Sequence, residues 1–302
     1  MWKLKVLIQF VLAHLPKGEQ INYLLQTLNN SHSPQKIAER IPSLLRELKR
    51  IDQYVELQGS SVLEIGTGWN AISALLLYLI GAKTVYTYDH VGHVRYKLLQ
   101  NVINQMENQI EQIQSITSIP KSELMDRLAK VKDGANTEAI FERASIVYKA
   151  PGDAARSGLP DDSIDLVYST AVLEHVRESV IHDLTVETKR VLKQNGVAYH
   201  SIALHDHYVS FDRNISKVNF LRYPEWMWRF FVKNKISYHN RLREKQFIEI
   251  FKSHAGKIKM IDNKIDPEDL EVLKTMKVDK RFLGMTPEEL AVCYTKIVFS
   301  FQ

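Results

Sequence analysis

The chain has 302 residues, of which 45% are hydrophobic and 25% charged, and its formal net charge is +5. This composition is typical of an ordinary soluble globular protein, and the length allows a sizeable core without disulfide or metal staples. The single cysteine, Cys293, excludes an internal disulfide and fits a reducing, cytoplasmic setting.

The positive charge is concentrated near the N-terminus. Residues 1–50 contain eight Lys or Arg and three Glu, which accounts for the whole net charge, and the rest of the chain is balanced. An enzyme that acts on nucleic acid more often carries positive charge around its site, so nucleic acid is not a predicted partner. The basic segment is interpreted as a solvated helical face, with peripheral contact to acidic lipid at the inner membrane face as the alternative.

The opening segment, residues 1–15, resembles a signal peptide in its apolar character. Gln9 and His14 interrupt the apolar run, and no small-residue cleavage site precedes Pro16. The run is also too short to span a bilayer. We therefore expect an amphipathic helix that packs on a core or lies at a membrane interface.

The first 57 residues are predicted to form a helical extension. Helices are expected over Ile21–Leu28 and Pro34–Leu57, with Ser33 as a cap before a first-turn proline. From residue 58 onward short apolar strands alternate with amphipathic helices, which predicts a parallel sheet with helical crossovers. The candidate strands of this second domain, residues 58–302, are Ser61–Ile65, Thr84–Tyr88, Ile146–Tyr148, Ile164–Ser169 and Gly196–Ala203.

Helices and one irregular insertion are predicted between and after these strands. One helix covers about Trp69–Ile80, and a mostly helical insert covers residues 93–143. Another helix covers about Ser179–Gln194, with Asn195-Gly196 as its stop. An aromatic-rich insertion over residues 205–242 follows the fifth strand.

The C-terminal part of the chain changes character. A helix near Arg243–His254 leads to a strand near Lys257–Ile261, and short helices begin at Asp266-Pro267 and at the Thr286 capping box. The final segment, Val292–Phe301, is strongly β-forming. Two late strands with only short helices between them predict an antiparallel finish. The predicted fold class is α/β, a Rossmann-like, mostly parallel seven-stranded sheet with an antiparallel last strand.

A glycine turn follows the first predicted strand. In Glu64-Ile65-Gly66-Thr67-Gly68 the glycines permit backbone angles and close approach that a Cβ would forbid. The free amides of the following helix face whatever lies over the turn. Glu64 can accept hydrogen bonds from an ammonium group or from loop amides. Taken alone, Gly68 could serve only helix–strand packing.

Two further acids follow the second and third strands. Asp89 ends the second strand, where a carboxylate can accept from both ribose hydroxyls of a nucleoside. Asp153 lies in the turn after the third strand, where it can accept from an adenine amino group. The local alternatives are a cap before His90 and an ordinary turn aspartate. Because ligands of open parallel sheets lie at the carboxyl edge, we expect these acids and Glu64 at one rim.

A longer motif leads into and out of the fourth strand. Residues 159–176, LPDDSIDLVYSTAVLEHV, closely resemble a stretch of small-molecule class I, S-adenosylmethionine-dependent methyltransferases with type-11 motifs. The resemblance covers residues 61–203 and, more loosely, 240–243. Many members have a third glycine where this chain has Asn70, so a modified turn is expected. The resemblance implies S-adenosyl-L-methionine as cofactor, bound by Glu64, Gly66, Thr67, Gly68, Asp89, His90, Asp153, Ala154, Ser169 and Thr170.

A hydroxyl acceptor also needs a base, and histidine is best matched to proton removal near neutral pH. His205, Asp206 and His207 follow the fifth strand and are the predicted catalytic residues, since the carboxylate could orient one imidazole. The alternative is a polar loop with solvated histidines. His175 is a further candidate that could instead start the next helix or line the adenosyl pocket. Further ligands for a metal at this cluster cannot be assigned, so no metal is predicted.

The insertion over residues 205–242 is predicted to form a lid over the acceptor. Its aromatic rings can stack on sugar rings or enclose an apolar acceptor. Arg213, Arg222, Arg241 and Arg243 can bind a phosphate or carboxylate on that acceptor. The alternative is a helical cap with a small core of its own. The expected partner is a small-molecule acceptor, and a glycan or lipid-linked saccharide is the suggested class.

Two other functions share part of these features. An NAD(P)-dependent oxidoreductase would use Gly66, Gly68 and Asp89, but it needs neither the motif over residues 159–176 nor the β-rich tail. A non-catalytic, cofactor-binding module would also keep the acidic positions. The Asn/Asp-Pro-Pro-Tyr/Phe motif of enzymes that methylate base amines is missing. The sequence is therefore interpreted as a cytoplasmic methyltransferase that acts on oxygen, with the oligomeric state left open.

Overall fold

The structure, a computed structural model, describes Trp2, Val6 and residues 32–232 and 238–302. The predicted helix over Ile21–Leu28 and most of the opening segment lie outside these residues. None of the helices in the described ranges is long and apolar enough to cross a membrane. The chain divides into two compact units. Among the described residues, the first unit is residues 32–169, 186–199 and 300–302, and the second is Trp2, Val6 and residues 170–185, 200–232 and 238–299.

A seven-stranded sheet, mostly parallel with one antiparallel strand, forms the framework of the fold. Its strand order is β3-β2-β1-β4-β5-β7-β6. Within the first unit β1 pairs in parallel with β2 and β4, and β2 pairs in parallel with β3. The predicted fold class is therefore confirmed. The strands are β1 (Ser61–Ile65), β2 (Thr84–Tyr88), β3 (Ile146–Lys149), β4 (Ile164–Thr170), β5 (Leu192–Ala203), β6 (Lys257–Ile265) and β7 (Val292–Ser300).

The α-helices of the described chain follow the predicted alternation. The insert over residues 93–143 is helical as predicted, and Asp266 and Thr286 cap the helices expected after them. The helices are α1 (Pro34–Ile51), α2 (Ile72–Leu79), α3 (Tyr96–Asn108), α4 (Ile110–Gln114), α5 (Lys121–Lys132), α6 (Thr137–Arg143), α7 (Glu178–Val191), α8 (Glu225–Val232), α9 (Glu244–Ser253), α10 (Pro267–Thr275) and α11 (Pro287–Ala291).

Helix α1 is part of the first unit. It begins at the predicted cap, where the Ser33 side chain accepts from the Lys36 amide. It ends at Ile51 and not at Leu57, because the Asp52 side chain accepts from the Leu57 amide at 3.0 Å and closes a turn. Its buried apolar face packs against α3, so the helix contributes to the core of this unit.

The boundary between α7 and β5 differs from the prediction. The helix ends at Val191 and the strand begins at Leu192, so Asn195-Gly196 lies inside the strand and is not a helix stop. A Cβ on Gly196 would lie 3.0 Å from the carbonyl oxygen of Ile164. The glycine therefore permits close backbone approach between strands, which explains its place in the middle of β5.

The second unit has an aromatic core of its own. Phe220 and Trp228 are buried there together with Trp2 and Val6. The Trp2 ring lies 5.7 Å from that of Tyr208. For these two residues of the opening segment, core packing is thus the correct expectation. Its basic residues, Lys3 and Lys5 among them, lie outside the described chain, so lipid contact stays a prediction.

Candidate functional site

The turn after β1 has the backbone geometry that its glycines predict. Gly66 and Gly68 have φ of +86° and +68°, in the left-handed region that glycine adopts without strain. The Gly66 amide donates to the carbonyl oxygen of Tyr88 at 2.8 Å, which ties the turn to the end of β2. A Cβ on Gly68 would meet no described atom within 4 Å, so open space lies beside the turn. Next to Asn70, Ala71 also lies in the left-handed region, with φ of +45° directly before α2.

Asp89 lies directly after β2 and is hydrogen-bonded to the glycine turn. Its Oδ2 accepts from the Gly68 amide at 3.0 Å, and its Oδ1 accepts from the Val91 amide at 3.3 Å. Burial alone would raise the pKa of this carboxyl, but the hydrogen bonds from His90, Gly68 and Val91 together lower it below the usual value. Asp89 is therefore an ionised acceptor at neutral pH.

The loop that carries Asp153 is joined to the end of β2 through the backbone. The Asp89 amide donates to the carbonyl oxygen of Lys149 at 3.0 Å, and the Gly152 amide donates to the carbonyl oxygen of Asp89 at 2.8 Å. Asp153 is exposed, and its Oδ1 accepts from the Ala155 amide at 2.9 Å. The ends of β1, β2 and β3 and the loops after them thus meet at one edge of the first unit. We call Glu64, Asp89 and Asp153 at this edge the acidic rim.

Glu64 is the buried member of the acidic rim, with 2% of its surface exposed. Its Oε2 accepts from the Thr87 hydroxyl at 2.6 Å, and the Thr67 hydroxyl lies 2.6 Å from that of Thr87. Burial raises the pKa of Glu64 from 4.5 to about 7, although the Thr87 hydrogen bond and the charge of Arg40 oppose the shift. A cationic group bound beside this carboxyl would stabilise its ionised form.

We expect the Glu64→Gln variant to gain stability as pH rises, relative to the wild-type protein. Below pH 4.5 the carboxyl is protonated in both the folded and the unfolded chain, so glutamine changes little. As pH rises through about 7 the folded chain loses the stability contributed by its neutral carboxyl. Urea unfolding at pH 8 should show the variant to be more stable by about 3 kcal/mol.

A matched control is Glu138→Gln, which makes the same replacement at an exposed position of α6. Its stability should follow the wild-type protein at both pH values, within about 0.5 kcal/mol. A constant stability difference between Glu64→Gln and wild type at pH 4.5 and pH 8 would show that the Glu64 pKa is not raised.

The other residues predicted to bind the cofactor differ in exposure and in the unit to which they belong. His90 is exposed, and its Nδ1 lies 3.2 Å from Oδ1 of Asp89. Ala154 and Ser169 are buried in the first unit, whereas Thr170 ends β4 and belongs to the second unit. Their binding role stays a prediction.

Four histidines lie together in the second unit. The His207 ring centroid is 5.0 Å from that of His175, 5.0 Å from that of His205 and 4.5 Å from that of His239. Burial lowers the pKa of His205 to about 4, so its imidazole is neutral at neutral pH. His175 and His239 thus lie beside the predicted pair, His205 and His207. We call these four residues the histidine cluster.

Asp206 is buried at the start of the loop after β5. Its Oδ1 accepts from the Tyr208 amide at 2.9 Å, and its Oδ2 accepts from the side-chain amide of Asn219 at 3.1 Å. Burial raises the pKa of Asp206 to about 6. These hydrogen bonds hold the loop, and the orientation of an imidazole by Asp206 stays a prediction.

Sequence reasoning missed Glu174, which lies beside the histidine cluster. One ligand-type atom each of Glu174, His175 and His207 lies within 4.8 Å of the other two. The glutamate is 1% exposed, and burial raises its pKa to about 8. The adjacent pair Glu174-His175 in the methyltransferase-like motif was the available signal, but the sequence does not show that a loop from elsewhere brings His207 to it.

Arg241 and Arg243 do not face an acceptor, contrary to the prediction. Arg243 is 1% exposed, and its guanidinium donates to the carbonyl oxygens of Leu204, Leu290 and Val292. Arg241 is also 1% exposed and donates to backbone carbonyls and to Glu225. Both arginines satisfy buried acceptors and hold the second unit together. Arg213 and Arg222 are exposed.

Comparison with known proteins gives one family match. Residues 101–200 match the model of a family described as a methyltransferase domain. The matched segment contains Asp153 and the motif over residues 159–176, and it begins after Glu64 and Asp89. No curated protein matches the sequence.

Several solved structures are similar to this chain. A geranyl diphosphate methyltransferase in complex with SAM is 10% identical, over 86% of this chain and 85% of that chain, with a TM-score of 0.47. A geranyl diphosphate C-methyltransferase from Streptomyces coelicolor A3(2) is 9% identical over 83% and 74%, with a TM-score of 0.45. An S-adenosylmethionine-dependent methyltransferase from Mesorhizobium loti is 14% identical over 84% and 95%, with a TM-score of 0.43.

The sheet, the acidic rim and the family match agree with one another. The strand order places the glycine turn and Asp89 at the ends of adjacent parallel strands, and the family match covers the motif that follows. Residues 101–200 are therefore similar to a methyltransferase domain, and they lie within a sheet that carries the predicted fold.

Proposed function

We propose that this protein transfers the methyl group of S-adenosylmethionine to a hydroxyl group of a small-molecule acceptor. The observation that supports oxygen as the acceptor atom is the histidine cluster, because methylation of a hydroxyl requires a group that takes its proton.

The acidic rim fits the groups of this cofactor. Asp89 is an ionised acceptor next to open space at Gly68, which suits ribose hydroxyls, and Asp153 is exposed and able to accept from an adenine amino group. Glu64 would accept from the cofactor's ammonium group, which would favour its ionised form. When bound, the cofactor supplies an electrophilic methyl group on its sulfonium.

The chain's own contribution would be to position the acceptor and to take up its proton. We assign the proton acceptor to the histidine cluster, with His205 and His207 as the candidates. A base must lie within hydrogen-bond reach of the hydroxyl that it deprotonates. The remaining polar side chains would orient the acceptor and exclude water from the transferred methyl group.

A saccharide or lipid-linked saccharide is the acceptor class that we propose. Trp226 on α8 is 70% exposed and Phe211 is 45% exposed, although most other described aromatic residues of the insertion are buried in the core of the second unit. Exposed aromatic faces stack on sugar rings. Arg213 and Arg222 remain available for an anionic group on the acceptor.

Substituting the proposed base should lower turnover more than cofactor affinity. We expect His205→Ala or His207→Ala to reduce kcat by about 100-fold or more, since general-base catalysis typically contributes about 10²–10⁴-fold. The Kd for S-adenosylmethionine should stay within about threefold, because neither imidazole belongs to the acidic rim. Single-turnover kinetics and calorimetric titration measure the two quantities.

His182→Asn is a matched control outside the histidine cluster. His182 is hydrogen-bonded to His254 through its Nδ1 at 2.9 Å. Turnover of this variant should match that of the wild-type protein. If His205→Ala and His207→Ala also turn over at the wild-type rate, neither residue is the base.

An acceptor screen with labelled cofactor tests the proposal as a whole. The wild-type protein would be incubated with free sugars, lipid-linked saccharides, simple alcohols, amines and proteins. We expect label on a hydroxyl oxygen of a saccharide. Label found only on nitrogen, on carbon or on protein would contradict the assignment.

A further inference from the structure

We propose that Glu174, His175 and His207 form a binding site for a divalent transition-metal ion such as Zn²⁺. Their ligand atoms lie within 4.8 Å of one another in the second unit. Two imidazoles and one carboxylate are a ligand set that suits Zn²⁺ and neighbouring first-row ions. Bonds of about 2.1 Å would bring the ligand atoms to roughly 3–4 Å from each other, which small side-chain rotations can achieve.

Glu174 provides the strongest argument for a cation. Its side chain is 1% exposed, and neither carboxylate oxygen has a side-chain hydrogen-bond partner among the residues that the structure describes. Only backbone hydrogen bonds from Glu174 and Ala203 oppose the rise of its pKa. A buried carboxylate without a cationic partner is costly unless it is neutralised or binds a metal. The Asn240 side chain holds this turn in place by donating to the carbonyl oxygens of Leu173 and Val176 at 2.7 and 2.8 Å.

His175 has the hydrogen bond that a metal-binding imidazole needs. Its Nδ1 lies 2.8 Å from the carbonyl oxygen of Tyr238. A carbonyl oxygen can only accept, so Nδ1 carries the proton and Nε2 presents its lone pair. Metal-binding histidines commonly use such a bond to fix the tautomer and the ring orientation. The side chain is exposed, which gives an ion a path from solvent.

His207 completes the set from a different part of the chain. It is half-buried, and its ring is 5.0 Å from that of His175. The ring of His239 lies on the other side, 4.5 Å from that of His207. Three protein ligands leave a coordination position for water or a substrate oxygen, as in catalytic zinc sites. Such an ion would lower the pKa of a bound hydroxyl.

The inference does not rest on the proposed function. Binding of the ion can be measured without cofactor or acceptor, so a failed acceptor screen would leave it standing. With the ion bound, His207 is a ligand, and His205 remains as the imidazole that can accept a proton. Its ring is 5.0 Å from that of His207.

Metal titration of the full chain tests the site. The chelator-treated protein would be titrated with Zn²⁺ by calorimetry, and with Co²⁺ while its visible ligand-field absorption is recorded. We expect about one ion per chain and a cobalt spectrum of low coordination number. Glu174→Gln and His175→Asn should each weaken Zn²⁺ binding by about 10-fold or more. His175→Asn changes an exposed side chain, so its fold should persist.

His182→Asn serves as the control, because His182 and His254 form the other close histidine pair that the structure shows. This variant should bind Zn²⁺ with wild-type affinity. Zn²⁺ should also raise the Tm of the wild-type protein more than that of Glu174→Gln, since an ion that binds the folded chain stabilises it. Either an absence of saturable binding by the wild-type protein or equal affinity of Glu174→Gln and wild type would overturn the proposal.

Discussion

Replacing Asp89 with alanine should weaken binding of S-adenosylmethionine by about 100-fold, because a carboxylate that accepts two charge-assisted hydrogen bonds from ribose contributes roughly 3 kcal/mol. The carboxylate lies 3.0 Å from the Gly68 amide, beside the open space at the glycine turn. Its pKa is lowered, so it is ionised when the cofactor arrives. Calorimetric titration with S-adenosylhomocysteine, the demethylated product, gives the affinity without turnover.

Two further variants make this result specific to Asp89. Asp89→Asn keeps one acceptor for the turn and should bind with intermediate affinity. Asp133→Ala removes an exposed carboxylate at the end of α5 and should bind like the wild-type protein. Unchanged affinity of Asp89→Ala, with an unaltered circular dichroism spectrum, would remove Asp89 from the cofactor site.

Replacing Arg243 with methionine should destabilise the protein by about 3 kcal/mol or more, because three buried carbonyl oxygens lose their charged donor. Methionine retains an apolar stem but leaves the carbonyl oxygens of Leu204, Leu290 and Val292 without this donor. Each buried acceptor without a partner has a desolvation cost of about 1–3 kcal/mol. Urea unfolding followed by tryptophan fluorescence measures the change.

Arg213→Met makes the same replacement at an exposed position. Its free energy of unfolding should stay within about 0.5 kcal/mol of the wild-type value. If Arg243→Met unfolds at the same urea concentration as the wild-type protein, the three carbonyl contacts do not stabilise the fold.

The positions of the strands could be predicted from the sequence where an apolar run is bounded by turn residues. For β1 and β2 the predicted and observed limits agree, because each is a short run between polar or glycine-containing segments. The predicted start of β5 at Gly196 is wrong, because the strand begins at Leu192. Gly196 resembles a helix stop, whereas its position is determined by close approach to the carbonyl oxygen of Ile164, which no local pattern contains.

The acidic rim follows from local patterns in the sequence, whereas the surroundings of the histidine cluster depend on contacts between distant parts of the chain. The acidic rim could be predicted because the carboxyl ends of parallel strands share an edge, and the loops there are joined by backbone hydrogen bonds. The proximity of Glu174 to His207 depends on tertiary structure, and so does the turn that Asn240 holds from a distant part of the chain. The charge of Arg243 suggested a place at the acceptor, and its burial is determined by backbone carbonyls of distant segments.

The binding of S-adenosylhomocysteine to the wild-type protein, compared with that of NAD, tests most directly that the acidic rim accommodates an adenosyl group with an amino-acid tail. Calorimetric titration should show saturable binding of S-adenosylhomocysteine to a single site and no heat from NAD. Saturable binding of NAD, without any binding of S-adenosylhomocysteine, would contradict the account.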